Sequence, residues 1–110
     1  MNTWQPITVS ELEKLVARQL FVCSPENQEF FKTIRVPFYQ VPIHRLGVIE
    51  KVFVVAVLPS GVVYYEDVED GFEIQELSKD GEILNQGCNQ LELSHVLSQI
   101  RSNLSFKRDA

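Results

Sequence analysis

The sequence has little cysteine, no long apolar segment and no basic leader. Its longest uninterrupted apolar run covers seven residues, Val52 to Leu58, whereas a transmembrane helix needs about 18 or more. Residues 1 to 6 are polar and uncharged, and two glutamates follow soon after, so we expect neither a secretion signal nor a membrane span. These absences favour a cytoplasmic protein.

Only two cysteines occur, Cys23 and Cys88, and they do not form a C-x-x-C pair. A secreted domain of this size would usually carry more cysteines, because it would need disulfides to supplement a small core. We therefore predict two reduced thiols that act as small buried apolar residues.

Positive charge is scarce in the second half of the chain. The net charge is −5 over 110 residues, but residues 1–59 carry +1 and residues 60–110 carry −6. Eight acidic residues and one base, Lys79, lie between Glu66 and Glu82. Such a surface repels phosphate backbones, so we expect no nucleic-acid partner and favour a basic protein partner.

Three helices are predicted from capping signals and apolar spacing. Ser10 to Glu13 fits a capping box for a first helix that ends near Leu20, and Ser24 before Pro25 starts a second helix that ends near Lys32. Asn89 is predicted to cap a last helix. The buried stripe of that helix is Leu93, Val96, Leu97, Ile100 and Leu104.

The middle of the chain has strand periodicity. The stretch from Val48 to Leu58 is apolar on both alternating faces, which predicts a central strand covered on both sides. The segment before it contains two prolines, so it is predicted to be an edge strand or a loop. Glycines at ten-residue spacing after Leu58 predict a meander. Its strands are placed at Val62 to Glu66, Phe72 to Leu77 and Glu82 to Leu84.

Together these elements predict a single α+β domain over residues 1–110. We expect a mostly antiparallel four- to five-stranded meander sheet with N-terminal helices and a C-terminal helix packed on it. A bare face on the central strand would expose several hundred square ångströms of apolar surface, roughly the size that marks an interface. A homodimer is the alternative if one face is bare.

No catalytic constellation reaches motif quality, so we predict a protein that is not an enzyme and binds no cofactor. The chain has no G-x-S-x-G elbow, no P-loop and no G-x-G-x-x-G, and its two histidines are not at ligand spacing. The rival hypothesis is a metal-dependent hydrolase that uses Asp67, Glu69 and Asp70. The segment from Asp67 to Gly71 misses the spacing of a calcium loop by one position, and we expect no metal site.

Tyr64 and Tyr65 are adjacent on a predicted strand, so one should face the core and the other should face solvent or a partner. An exposed tyrosine inside an acidic rim has the composition of an interface centre. A solvated hairpin end that protects a strand edge is the simpler interpretation. The predicted partner-binding residues are Tyr65, Glu66, Asp67, Glu69, Asp70 and Glu73.

The acidic hairpin from Tyr64 to Phe72 and the closing segment from Asn89 to Leu93 resemble small acidic immunity proteins of bacterial toxin systems. The resemblance covers the stretch from about Val62 to Ile100. It implies a cytoplasmic protein that occludes a toxin's active site, often that of a basic nuclease, by charge and shape complementarity. A non-catalytic homo-oligomeric scaffold is a third hypothesis.

Overall fold

Two N-terminal helices, a four-stranded sheet and a C-terminal helix follow one another along the chain. They are seen in a computed structural model that describes residues 6–85 and 91–109, with side chains up to Asn103. The elements are α1 Val9–Phe21, α2 Pro25–Ile34, β1 Arg35–Arg45, β2 Val48–Leu58, β3 Gly61–Glu66, β4 Gly71–Gln75 and α3 Leu93–Asp109. The predicted α+β class is confirmed.

The sheet is an antiparallel meander with the strand order β1-β2-β3-β4. β2 is interior, as its apolar run predicts, and β1 lies at an edge, as its prolines predict. The carbonyl of Pro42 accepts a hydrogen bond from the amide of Ile83 at 2.9 Å. Because the N–H and C=O of a strand residue point to the same side, the ring nitrogen of Pro42 also faces away from β2 and removes no bond from that pair.

The strand predicted at Glu82 to Leu84 is wrong. β4 ends at Gln75, and residues 76–85, which we name the strap, lead from this edge of the sheet to β1 at the opposite edge. There Ile83 forms a single parallel bridge with Ile43, closed by two backbone hydrogen bonds of 2.9 Å. A hairpin turn can join only antiparallel strands, so the glycine spacing does not continue into another hairpin.

Both faces of the sheet are covered, as the apolar run in β2 predicts. On the helix face, side chains of β2, β3 and β4 pack against the three helices. The buried members of this cluster are Leu12, Val16, Cys23, Phe31, Val55, Ala56, Val63, Tyr65, Phe72, Leu93, Val96, Leu97 and Ile100. Cys23 is therefore a small buried residue, as expected, and Cys88 lies outside the described residues.

The second face carries a smaller core that includes the strap. Its buried members are Val41, Ile43, Val52, Val54, Val62, Tyr64 and Ile83. Ile83 comes from the strap, and Leu77 from the same segment packs against the cluster. The apolar face that would have driven a homodimer is thus buried within one chain.

Local capping sets where the helices begin. The first helix starts at Thr8, whose side chain accepts from the Glu11 amide while the Glu11 carboxylate accepts from the Thr8 amide. The capping box predicted at Ser10 is therefore wrong by two residues. Overlapping boxes begin at Thr8 and Ser10, and the earlier one gives the longer helix. Ser24 caps α2 as predicted, although that helix continues to Ile34.

The C-terminal helix is tied to the N-terminal pair by amide side chains. Gln19 Oε1 accepts from the Leu93 amide at 2.7 Å, at the first residue of α3. Buried Asn27 donates to Ser98 Oγ at 3.1 Å and accepts from Arg101 at 3.0 Å. The predicted cap Asn89 and the side chain of Leu104 lie outside the described residues. These long-range bonds fix the three helices to one another.

Candidate functional site

The two turns that join β1 to β2 and β3 to β4 lie at the same end of the sheet, because a meander alternates the ends at which it turns. We call this region, residues 44–50 and 66–71, the hairpin end. Arg45 on one hairpin contacts Glu66 and Asp67 on the other, which confirms that the turns are neighbours. The acidic turn predicted from the sequence is therefore one half of a larger surface.

Neither tyrosine of the predicted pair is exposed, so the expectation of one accessible tyrosine is wrong. Tyr64 is buried in the second-face core, and Tyr65 is only 4% exposed on the helix face. The ring of Tyr65 meets Phe72 edge to face, with centroids 5.2 Å apart. The prediction failed because alternation assumes one wet face, whereas helices cover one face of β3 and the strap contributes to the core on the other.

The hydroxyl of Tyr65 has a structural role in the acidic turn. It donates a hydrogen bond to Asp70 Oδ1. Burial, together with this bond and the nearby carboxylates, raises the pKa of Tyr65. Asp70 itself has a φ of +61°, a left-handed conformation that aspartate tolerates better than most residues. The bond therefore holds the turn of residues 67–70 in one shape.

Glu66 is fully buried and forms an ion pair with Arg45, which is also buried. The Arg45 Nε atom lies 2.8 Å from Glu50 Oε1, and Arg45 is 3.8 Å from Asp67 Oδ1. Burial raises the pKa of Glu66, and the hydrogen bond and charge of Arg45 oppose that rise. Burial lowers the pKa of Arg45, but the surrounding carboxylates outweigh this and raise it. Glu66 and Arg45 thus anchor the hairpins to each other.

Sequence reasoning missed Arg45, although a signal was present. Val41, Ile43 and Arg45 alternate along β1, so the arginine points to the same face as two core residues. A base at the end of such a row needs carboxylates on its neighbours, because a buried charge without a partner is costly. Glu50 on β2, Glu66 at the end of β3 and Asp67 after it supply them.

Of the six predicted partner-binding residues, three are removed from the candidate surface by their burial: Tyr65, Glu66 and Glu73. Glu73 is paired with Tyr64 in the β3–β4 register and is buried. Asp67 is mostly covered, Glu69 is half-buried and Asp70 is exposed. Burial raises the pKa of Asp67, opposed by a bond from the Ile7 amide and by Arg45. Among these six residues, the accessible carboxylates are therefore those of Glu69 and Asp70 in the turn.

The rival metal site does not assemble among these side chains. Asp67 faces Arg45, and Asp70 accepts from Tyr65. Over the described ranges 6–85 and 91–109, no three histidine, cysteine, aspartate or glutamate side chains form a group that could hold a metal ion.

The β1–β2 turn carries exposed apolar residues that the sequence analysis did not single out. Leu46 is 97% exposed, Val48 is 57% exposed and Ile49 is 62% exposed. Val68 in the acidic turn and Leu84 in the strap are also exposed. Leu84 follows the residue that pairs with Ile43, so it lies beside the same hairpin. The hairpin end therefore combines apolar side chains with carboxylates.

Leu46 has an unusual backbone conformation for its residue type. Its φ is +45°, and that of Gly47 is +83°, so both central residues of this two-residue turn are left-handed, as in a type I′ turn. Such turns prefer Asn-Gly, and a left-handed conformation costs an ordinary L-residue about 1–2 kcal/mol. The signal in the sequence was a leucine placed before glycine between two strands.

The strap is held at this end by a side-chain contact as well as by backbone bonds. His44 Nε2 lies 2.6 Å from Glu82 Oε1, and both side chains are about one-third exposed. Glu82 thereby joins the carboxylates at the border of the hairpin end.

No protein-family model matches the chain, and neither the curated proteins nor the solved structures include a significant match. Within the part of the chain that the structure describes, every helix is too short or too polar to cross a bilayer.

Proposed function

We propose that this protein is a non-catalytic cytoplasmic binding domain that recognises a basic protein through its hairpin end, in the manner of the immunity proteins that its acidic hairpin resembles. The observation that carries the proposal is the exposure of Leu46, Val48 and Ile49 beside a turn that bears carboxylates. Neither feature is needed for the core. Apolar contacts with a polar border are the usual composition of a protein interface.

The charges around this end favour a cationic partner. Glu50 and Glu69 are half-buried, and Asp70 is exposed, while Arg45 is buried and already paired with carboxylates. The outward field of the hairpin end is therefore negative. Such a field speeds encounter with a basic surface and repels acidic ones, and it does so less as salt shortens the screening length of ~8 Å.

Association kinetics with the partner test this proposal. The partner would be recovered from the source cell, with the product of the neighbouring gene as the first candidate. We expect the double variant Glu69→Lys and Asp70→Asn to slow association at low salt and to lose much of the salt dependence. Asparagine at position 70 keeps an acceptor for Tyr65 and tolerates the left-handed backbone.

The matched control is Glu76→Lys, which places an exposed lysine near the opposite end of the sheet, beside the β2–β3 turn. It should leave the association rate close to that of the wild type. An unchanged rate in the double variant would show that the acidic turn is not part of the binding face.

The scaffold hypothesis makes a different prediction for the protein alone. A homo-oligomer would gain mass as its concentration rises, whereas a domain with both sheet faces buried should remain monomeric. Sedimentation at dilute and at concentrated protein separates the two. Self-assembly without a second protein would replace the proposed function by the scaffold.

A further inference from the structure

We infer that Leu46 is the apolar anchor of this interaction and that it packs against an apolar patch bordered by lysine or arginine side chains on the partner. This inference rests on the proposed function and names the residue and the chemistry by which the hairpin end would bind. It moves the centre of recognition from the acidic turn to the neighbouring β1–β2 turn.

At position 46, another residue would serve the fold better than leucine does. Its side chain is 97% exposed, so it adds almost no apolar burial. Its backbone is left-handed, a conformation that is unfavourable for leucine and tolerated by asparagine. Conformation and solvation thus both oppose leucine at this position. A residue that is unfavourable on both counts is a candidate for a role outside folding.

The hairpin that carries Leu46 is held rigidly at its base. Arg45, the residue before it, is buried and bound to Glu50 on β2 and to Glu66 on β3. The preceding residue on the same strand, His44, donates its backbone N–H to the strap at the outer edge of β1. An anchor presented on a fixed turn loses little conformational freedom on binding, which raises the affinity that one side chain can provide.

The chemistry of the partner follows from what surrounds the anchor. Val48 and Ile49, on opposite faces of the hairpin, add exposed apolar surface beside Leu46. Glu50 and Asp67 contact Arg45, the residue before Leu46, and Glu69 and Asp70 lie in the same turn as Asp67. An apolar patch with a basic border satisfies both parts. A bilayer with anionic headgroups would be repelled by these carboxylates, and a second copy of this chain would present the same negative charge.

The test uses random peptides displayed on phage, selected for binding to the whole protein. We expect the enriched peptides to carry apolar residues flanked by lysine or arginine. A synthetic copy of the best peptide should bind Leu46→Asn at least about tenfold more weakly than the wild type, as is common at an interface hot spot.

Two controls separate binding from folding. Leu46→Asn creates the preferred Asn-Gly turn, so its melting temperature should equal or exceed that of the wild type. Phe21→Ser removes an 84% exposed apolar side chain at the end of α1. Phe21 shares a groove with Arg35, at the far end of β1 from the hairpin end, so this variant should leave peptide affinity unchanged.

The outcomes also distinguish the inference from the proposed function. If Leu46→Asn keeps full affinity while the Glu69→Lys and Asp70→Asn double variant loses it, the hairpin end remains the binding face, but Leu46 is not its anchor. If no peptide is enriched, if the enriched peptides are acidic, or if the wild type binds neutral phosphatidylcholine vesicles as tightly as the peptide, the inference is overturned.

Discussion

Arg45 brings together carboxylates from two other strands and a turn. Glu66 is the most deeply buried of these groups, and it pairs with Arg45 beneath the hairpin end. Removing one member of a buried pair is costly because the other charge is left unpaired. The pair therefore links the shape of the candidate surface to the ionisation of one side chain.

The pH dependence of stability should report the raised pKa of Glu66. Between the ordinary value of 4.5 and the raised value, the folded protein holds a proton that the unfolded chain has released. Its free energy of unfolding therefore falls as pH rises, by at most about 1.4 kcal/mol per pH unit. Glu66→Gln lacks this titration, so its stability relative to the wild type should rise with pH from about 4.5 and then level off.

Glu11→Gln provides a control of opposite sign, measured by denaturant unfolding over the same pH series. The bonds from Thr8 hold the pKa of Glu11 below its ordinary value of 4.5, so the wild type gains stability as pH rises toward 4.5. The stability of Glu11→Gln relative to the wild type should therefore fall over that range. A flat difference for Glu66→Gln would contradict the account of Glu66.

At the scale of single residues, sequence periodicity predicted burial correctly where an element packs against the core on one side. It failed where both faces of a strand are covered. Leu93, Val96 and Leu97 are fully buried on α3, as helical spacing predicted. Tyr64 and Tyr65 were misread because the covering of the second face comes from the strap, which begins only at residue 76. No local pattern around a tyrosine contains that information.

At the scale of the elements, Gly61, the first residue of β3, lies where the backbone of β4 approaches closely. A Cβ atom at this position would lie 2.6 Å from the carbonyl oxygen of Gln75 on β4. That is closer than a carbon and a backbone oxygen can approach, and the oxygen cannot rotate away. The glycine predicted as a turn signal therefore also sets the spacing between two strands.

Gly61→Ala should separate β3 from β4 at this point and lower the free energy of unfolding by about 1–3 kcal/mol, as overpacking usually does. Ser60→Ala, at the exposed neighbouring position, should stay within about 0.5 kcal/mol of the wild type. Urea denaturation measures both. Equal stability of Gly61→Ala and the wild type would show that the strands can move apart at little cost.

Element identity was largely predictable because each signal was local. Ser24 with Pro25 begins α2, and the prolines of β1 confine that strand to an edge. Boundaries were less predictable where signals overlap, as at Thr8 and Ser10. Only the acidic half of the candidate surface was predicted from the sequence. Clustered charge revealed the acidic turn, but Leu46 became visible only with its backbone angle and exposure.

At the scale of the whole molecule, the seven apolar residues of β2 predicted a sheet covered on both sides without identifying what covers it. The helix face is covered by helices whose stripes were readable from the sequence. The second face receives the strap, whose apolar residues Leu77 and Ile83 are few and separated by charged residues and a glycine. Its position depends on a bridge between residues 40 apart, which short-range patterns cannot predict.

That bridge also has a consequence for the order of folding events. We expect the contact between Ile43 and Ile83 to form after β2, β3 and β4 have assembled on β1, because closing so long a loop early would cost entropy without compensating contacts. The strap should dock after the rate-limiting barrier. Ile83→Val should then speed unfolding and leave the folding rate nearly unchanged in stopped-flow chevron plots, whereas Val63→Ala in the β2–β3 hairpin should slow folding. A slower folding rate in Ile83→Val would place the strap in the folding nucleus. Late docking also means that the second core can open to solvent while the helices remain packed on the opposite face.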